Sequence, residues 1–542
     1  MLKKIIIFIC FLIYFIIGIF IHDDYGINWD EQASRNYGFI SGDYVLGKLL
    51  PDKIYYKIYS NITKNKFSEK IKEKNPPKLT DQSFMERAYG VTFELPAAIL
   101  ETVLNLNDID KIYKFRHLLV FFVFFLSSII FYKLCFLISK DKVISLLFAS
   151  MLVIHPRIFS DTFHNSKDLI FLSYLIISIF FGYKLIKKNS FKNIILFSIF
   201  TALSFGLKII GILLLYSIST IYLIQNQSTL QTRLKFLFFI SLITLTFCYI
   251  FWPYLWENPI TNFKLAFELF SNFKWSSEIP FMGKFINSDT LPWYYIPLFF
   301  LITTPPYILI LIIFGLFIFI YQLFNYKKNK LYMNCIITIF FLSQIFLIPL
   351  LFAIFNNSTL YDGWRHFFFM YPVLLIISIM SISSIIYSFK TRFFYLILIS
   401  FITTGSIIQS YWNFKYHPFQ HSYFNKLFYE KPNEKFESDY WGISNKYLID
   451  QLLLYEKSDK IFYKFESSNF ILSLDILNNE EKKRFIEYNN QVGIDYYYIF
   501  VLKRFRNFDK NIFYNLRNKN EVISEVIINN TVINGVYKIK IN

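Results

Sequence analysis

Residues 5–21 read IIIFICFLIYFIIGIFI, and residues 22–38 read HDDYGINWDEQASRNYG. At about 1.5 Å per helical residue, an apolar run of that length covers most of the ~30 Å of hydrocarbon in a bilayer. The run stops abruptly, and two adjacent carboxylates, Asp30 and Glu31, follow within a short polar stretch. The pair therefore lies where a helix leaves the membrane. In a soluble loop the same two acids would carry little meaning.

The rest of the chain repeats the pattern. Hydrophobic residues make up 55% of the 542 and aromatic residues 21%, where a soluble chain averages about 45–50% apolar. The excess is concentrated in runs long enough to cross a bilayer, so the fold class is an α-helical polytopic membrane protein. Hydropathy predicts about eleven spans, near 4–21, 117–138, 142–159, 168–186, 191–207, 209–225, 235–252, 293–322, 332–355, 367–388 and 393–411. The formal charge of +18 sits largely in short loops, which favours membrane topology over nucleic-acid binding. Lys3 and Lys4 precede the first run and no small-residue cleavage site follows, as in a retained signal anchor. Cys10, Cys135, Cys248 and Cys335 all fall in apolar segments, which argues against disulfides and cysteine metal sites.

Alternate loops carry Lys140 and Lys142, then Lys184, Lys187, Lys188 and Lys192, then Arg233 and Lys235, then Lys327, Lys328 and Lys330, then Lys390 and Arg392. The positive-inside rule places these clusters and the N-terminus in the cytoplasm. The opposite face receives residues 22–116, the turn 155–168, the loops 253–292 and 356–366, and the tail. A Lys-rich stretch near 61–79 is expected to be irregular, and the segment 83–105 is expected to form an amphipathic helix on the membrane surface. Residues 1–411 form the membrane domain. Residues 412–542 alternate like strands in KIFYKF, DYYYIFVLK, EVISEVII and GVYKIKI around a helical SNKYLIDQLLLYEK, predicting a small extracytoplasmic α/β domain.

Four polar groupings stand out on the outer face. Asp30 and Glu31 suit a general base or a divalent cation, or they simply cap the next helix. His155, Arg157, Asp161, His164, Asn165, Lys167 and Asp168 crowd one connection, more than a tight turn requires, and suggest a binding surface. Lys208 stands among apolar residues, so it needs a partner or must snorkel to the headgroups. Tyr361, Asp362, Gly363, Trp364, Arg365 and His366 open a span, where Arg365 and His366 suit an anionic phosphate unless Asp362 takes up the arginine. P-loop, H-E-x-x-H and G-x-S-x-G signatures are missing, which gives nucleotide-driven transport and zinc proteolysis no support.

WDE at 29–31, HPRIFSDTFHNSKD at 155–168, GLKIIG at 206–211, YDGWRH at 361–366 and the run from HPFQHSYFN to DYWG at 417–442 occur in that order. This set resembles the GT-C fold glycosyltransferases. Within them it is similar to the dolichyl-phosphate-mannose–protein mannosyltransferase-like group that includes the lipid A aminoarabinose transferases, and to a bacterial branch of family-39 type. The resemblance implies a multi-pass plasma-membrane enzyme that moves a sugar, with inversion, from a polyprenyl phosphate to an acceptor hydroxyl outside. It implies Asp30 as the catalytic acid/base with Glu31 beside it, and Lys208, Arg365, His366 and Lys167 as phosphate ligands. Asp161, His164, Asn165, Asp168, Tyr361 and Asp362 would contact substrate. No cofactor is required, although a divalent metal beside the carboxylates is compatible. The tail departs from the described mannosyltransferases, which leaves the acceptor open between saccharide, lipid and protein. The rival readings are a lipid-linked saccharide transporter or flippase and a non-catalytic membrane assembly protein.

Overall fold

The computed structural model describes residues 2–55, 79, 85–224, 229–271, 273, 275, 277–325, 330–389, 392–467, 469–503 and 512–541. The Lys-rich stretch up to residue 78, the loop lysines 327, 328 and 390, and the side chains of Lys330 and Cys335 lie outside them.

The chain enters as α1 (Leu2–Ile21). It then runs along the end of the bundle in α2 (Glu31–Leu49) and α3 (Glu94–Val103) before α4 (Ile109–Ser139) crosses back. α3 wears its polar face inward: Glu94 and Glu101 are buried while Ile99, Leu100 and Val103 are exposed. That is the arrangement of a helix whose apolar side meets lipid rather than a protein core.

Next come α5 (Lys142–Ile154) and α6 (Pro156–His164), an apolar pair bent by 65°. The run 142–159 therefore does not continue as one straight span. Proline disfavours the helical region for the residue before it, and His155 accordingly sits at φ −59°, ψ 119°. The break turns α6 into a buried helix across the end of the bundle, with α7 (Asp168–Lys187) starting just beyond it. α8 (Phe191–Leu207), α9 (Ile212–Ile224) and α10 (Leu230–Phe251) follow, and α11 (Pro259–Ser271) lies beyond the end of α10.

An unexpected hairpin interrupts the loop before α12: β1 (Glu278–Phe281) pairs antiparallel with β2 (Lys284–Asn287). The expected single span 293–322 is two helices, α12 (Tyr295–Thr303) and α13 (Pro306–Asn325). Pro305 and Pro306 supply no backbone N–H to continue the ladder. α14 (Lys330–Phe355), α15 (Met370–Phe389) and α16 (Arg392–Lys415) complete the bundle.

Among the described residues, eight helices are long and apolar enough to cross a membrane; the bent pair brings the number to nine, and two more apolar helices are shorter. These correspond to the eleven expected runs. α7 and α15 form the inside of the bundle, with 78% and 83% of their spans buried, whereas α1 and α16 at 6% and 17% form its rim. Cys10, Cys135 and Cys248 are free thiols.

The tail is a five-stranded mixed sheet in the order β4-β3-β5-β7-β6. Its strands are β3 (Ile461–Phe465), β4 (Phe485–Glu487), β5 (Tyr496–Leu502), β6 (Glu521–Ile528) and β7 (Thr531–Lys540). β3 runs parallel to β4 and β5, while β7 is antiparallel to both β5 and β6. α17 (Ser444–Tyr455) covers the sheet with Leu448, Ile449 and Leu452.

The domain grips the segment after α1. The Tyr25 hydroxyl donates to Gln420 Oε1 at 3.1 Å, and the Asn469 amide donates to the Ile27 carbonyl at 3.3 Å. His417 Nε2 and Asp24 Oδ2 are 2.7 Å apart. The segments carrying Asp30, α6, Lys208, residues 361–366 and the tail thus meet at one end of the bundle.

Candidate functional site

Asp30 stands at the N-cap of α2, but its side chain makes no capping hydrogen bond. Its backbone N–H donates instead to Asn28 Oδ1 at 2.8 Å, which fixes the turn. The carboxylate is thereby left outward, with its side chain 42% exposed and Arg365 Nη1 at 3.7 Å from Oδ2. A charge-assisted N–H···O bond runs about 2.7–2.9 Å, so this is a loose pairing. The cap reading of Asp30 does not hold at the side chain.

Glu31 parts company with its neighbour. It is buried, accepts the Asn28 N–H at 2.7 Å, and holds His117 Nε2 at 2.8 Å. Its two oxygens bind its own turn to α4, and its side chain is only 7% exposed.

Arg365 is the centre of the cluster. Its Nε donates to Asp362 Oδ2 at 3.1 Å and its Nη1 to Asp168 Oδ2 at 3.0 Å. Asp362 reaches it from a left-handed turn, φ 57°, followed by Gly363 at φ 69°. A Cβ on Gly363 would press on Arg157 and Phe299, so glycine serves both the turn and the close approach. The guanidinium lies between the rings of Tyr361, 5.0 Å from its carbon, and Trp441, 4.6 Å away. Burial alone would lower the Arg365 pKa, but Asp362, Asp168 and Asp30 outweigh it and hold the group well above its ordinary value.

Asp168 also takes the Lys208 ammonium on Oδ1, and Lys208 donates to the His366 carbonyl at 3.3 Å. Lys208 therefore has a partner and does not snorkel. The half-buried His366 ring stands edge-on to Tyr361, 4.9 Å between centres. Burial and the adjacent Arg365 push its pKa well below the usual imidazole range, so it can donate a hydrogen bond but contributes no charge.

Lys167 differs from these cations. Its ammonium lies over the Tyr89 ring at 4.7 Å and the Tyr37 ring at 5.6 Å. Among the described residues it has no carboxylate partner.

The remaining groups of the 155–168 connection are internal. Asp161, His164 and Asn165 are buried, with the Asn165 amide donating to Asp161 Oδ2 at 2.9 Å and to Asp168 Oδ2 at 3.1 Å. Asn165 Oδ1 accepts the Asp168 N–H at 2.8 Å, starting α7. The expected binding surface is thus mostly a hydrogen-bonded floor beneath Arg365. Arg157 borders the Gly363 turn but donates to the Tyr423 carbonyl at 3.3 Å and lies over Phe424 at 4.7 Å, and His155 packs against Tyr371 at 4.7 Å.

Two features escaped the sequence reading. One is Trp441, which comes from the tail to stack on Arg365 and donates Nε1–H to Asp161 Oδ1 at 3.3 Å. Its loop is held by His421 Nε2 on Asp439 Oδ1 at 2.9 Å, a fully buried pair. The aromatic DYWG text was the available signal. The other is a sealed network: Arg35 Nη2 meets Glu101 Oε1 at 2.6 Å, and Arg116 meets Glu94 at 2.6 Å and Glu101 at 3.3 Å. Ser166 joins it through a hydrogen bond to Glu94.

Among the described residues, no group of three His, Cys, Asp or Glu side chains is arranged to hold a metal ion. Asp30, Asp168 and Asp362 converge on a guanidinium, so this donor set already has its cation and does not fit a second one.

No protein-family model matches the chain, and no curated protein matches it either. The fold is similar to the crystal structure of ArnT from Cupriavidus metallidurans in the apo state, at a TM-score of 0.48 and 9% identity. That likeness covers 99% of this chain and 97% of the other. At that level of superposition it decides neither fold nor chemistry. The multi-pass helical architecture rests on the helices themselves.

Proposed function

We propose that the chain transfers a sugar from a polyprenyl phosphate to an acceptor hydroxyl at the outer face of the plasma membrane. The observation that carries this reading is the partly exposed Asp30 carboxylate, 3.7 Å from a buried Arg365 shared with Asp168 and Asp362. One solvent-facing base over a fixed charge array is what proton abstraction beside a forming cation requires. The charged groups of this cluster lie together at one end of the bundle, which suits surface chemistry better than a path through the membrane.

In the reaction, Asp30 takes the proton of the acceptor hydroxyl as its oxygen bonds to the anomeric carbon. The bond from that carbon to the phosphate oxygen breaks on the far side, and its electron pair leaves with the phosphate. A single displacement inverts the anomeric centre. Lys167 is the cation best placed for the phosphate, because Lys208 and Arg365 are already paired with carboxylates. Arg365 places a fixed positive charge 3.7 Å from Asp30, and the neutral His366 and the Tyr361 ring shape the wall. Glu31, Asp161, His164, Asn165 and Asp168 hold this array rather than touch the sugar.

Mass spectrometry of envelope glycolipids and glycoproteins, from cells with and without the protein, tests the reading. One class of molecules should lose the mass of a single sugar when the protein is removed, and nuclear magnetic resonance of the product should show inversion. An unchanged set of envelope glycans would overturn it.

A further inference from the structure

A second recess lies further along α2. From Glu31 to Tyr44 the helix climbs about 20 Å at 1.5 Å per residue. There an open cleft of about 210 Å³ is lined by Tyr44, Arg87, Tyr254, Glu257, Asn258 and Thr261. The Arg87 guanidinium lies over the Tyr254 ring at 5.7 Å and, among the described residues, has no carboxylate partner. Asn258 and Thr261 are exposed, with no side-chain hydrogen bond among the described residues. Glu257 pairs loosely with Lys48 at 3.7 Å.

Planar guanidinium, amide and carboxylate groups beside tyrosine rings match the paired hydroxyls and apolar C–H face of a sugar. The next helix, α11, exposes Ile260 at 73% and Phe267 at 48%, an apolar face of the kind that interfacial helices turn to lipid. A series of aromatic contacts leads from α11 toward Lys167 and the Asp30 centre. Tyr37 and Tyr89 stack at 6.2 Å beneath Lys167, and Tyr89 touches Phe270 of α11 at 4.8 Å. Gly90 permits this approach, because a Cβ there would collide with the Gly206 carbonyl at the end of α8.

We infer that this cleft binds the non-reacting end of an extended saccharide acceptor, whose reacting hydroxyl lies at Asp30. The inference rests on the transfer reading above and narrows its acceptor to a glycan chain or glycolipid rather than a polypeptide. Arg87, Asn258 and Thr261 then act on acceptor binding and not on the chemical step.

The test uses vesicles of purified full-length protein, membrane extract from cells lacking it as acceptor, and polyprenyl-phosphate sugars labelled with radioactive glucose. Arg87→Ala should raise the half-saturating amount of extract about tenfold or more, the loss expected for a charge-assisted hydrogen bond. Asn258→Ala/Thr261→Ala, on the exposed rim and safe for folding, should raise it several-fold. The plateau rate should stay unchanged in both, and the extract should remain active after protease digestion. Unshifted half-saturation in both variants, or an extract inactivated by protease, overturns the inference while transfer itself still stands. Absence of label transfer by the wild type would instead reject the transfer reading.

Discussion

Two arginine–carboxylate clusters share one end of this bundle, joined through Ser166, and they differ in one respect. Around Glu101 the charges are enclosed: its side chain is fully buried, and those of Arg35 and Arg116, which both reach it, are 10% and 5% exposed. Around Arg365 three carboxylates converge, yet one of them, Asp30, keeps 42% of its side chain exposed. Buried ion pairs repay their desolvation only with close geometry and full pairing. The first cluster pairs both of its carboxylates closely, leaves Arg116 Nη2 without a hydrogen bond among the described residues, and clamps α2 and α3 onto α4. The second leaves one member loosely held at the surface, and a loosely held base is available for a proton.

The contrast is open to direct attack. Glu101→Ala takes the carboxylate from buried Arg35, leaves Arg116 with Glu94 alone, and should cost about 3–5 kcal/mol, read as a large drop in melting temperature by fluorescence-detected size exclusion. Melting like the wild type would mean that the sealed cluster is no clamp. Lys167→Met should leave melting nearly unchanged and raise the half-saturating donor concentration roughly tenfold or more. If donor saturation is unmoved, the phosphate is held elsewhere.

Trp441 tests whether the tail belongs to the open cluster. A cation–π contact is worth about 0.5–2 kcal/mol, so Trp441→Leu should slow transfer by roughly 2- to 30-fold. Trp441→Phe, which keeps a ring over Arg365, should recover part of that rate. Equal rates for the two variants would reduce Trp441 to packing.

The smallest effect concerns the loop that carries it. Burial would raise the Asp439 pKa, but His421 and Ser444 overcome this and lower it below the usual carboxylate value. A lowered folded pKa stabilises above the unfolded value of about 3.9, and the gain is lost as pH falls through the folded value. Thermal melts from pH 7 downward should therefore decline less steeply for Asp439→Asn than for the wild type. Parallel curves would contradict that account.

The bundle was legible because apolar runs are long and their breaks few. What hydropathy could not register was the geometry of those breaks. His155–Pro156 and Pro305–Pro306 bend or split runs whose composition continues unchanged. In the site, Asp30, Arg365 and Lys208 were readable as charges with no obvious place in a membrane. Their sharing of Asp168 was not readable, because residues 30, 168, 208 and 365 meet only through the tertiary fold. The different settings of Asp30 and Glu31 were unreadable for a similar reason: the turn into α2 leaves one carboxylate at the surface and directs the next toward His117. Glu94 and Glu101 were hidden inside what reads as an ordinary interfacial helix, since the pattern does not say which face meets lipid.

The most direct measurement is transfer of labelled sugar by purified Asp30→Asn in vesicles, beside its melting temperature and its binding of the lipid donor. The account predicts a rate about 100- to 10,000-fold lower, with melting and donor binding close to wild type. Full transfer by the asparagine variant would contradict it.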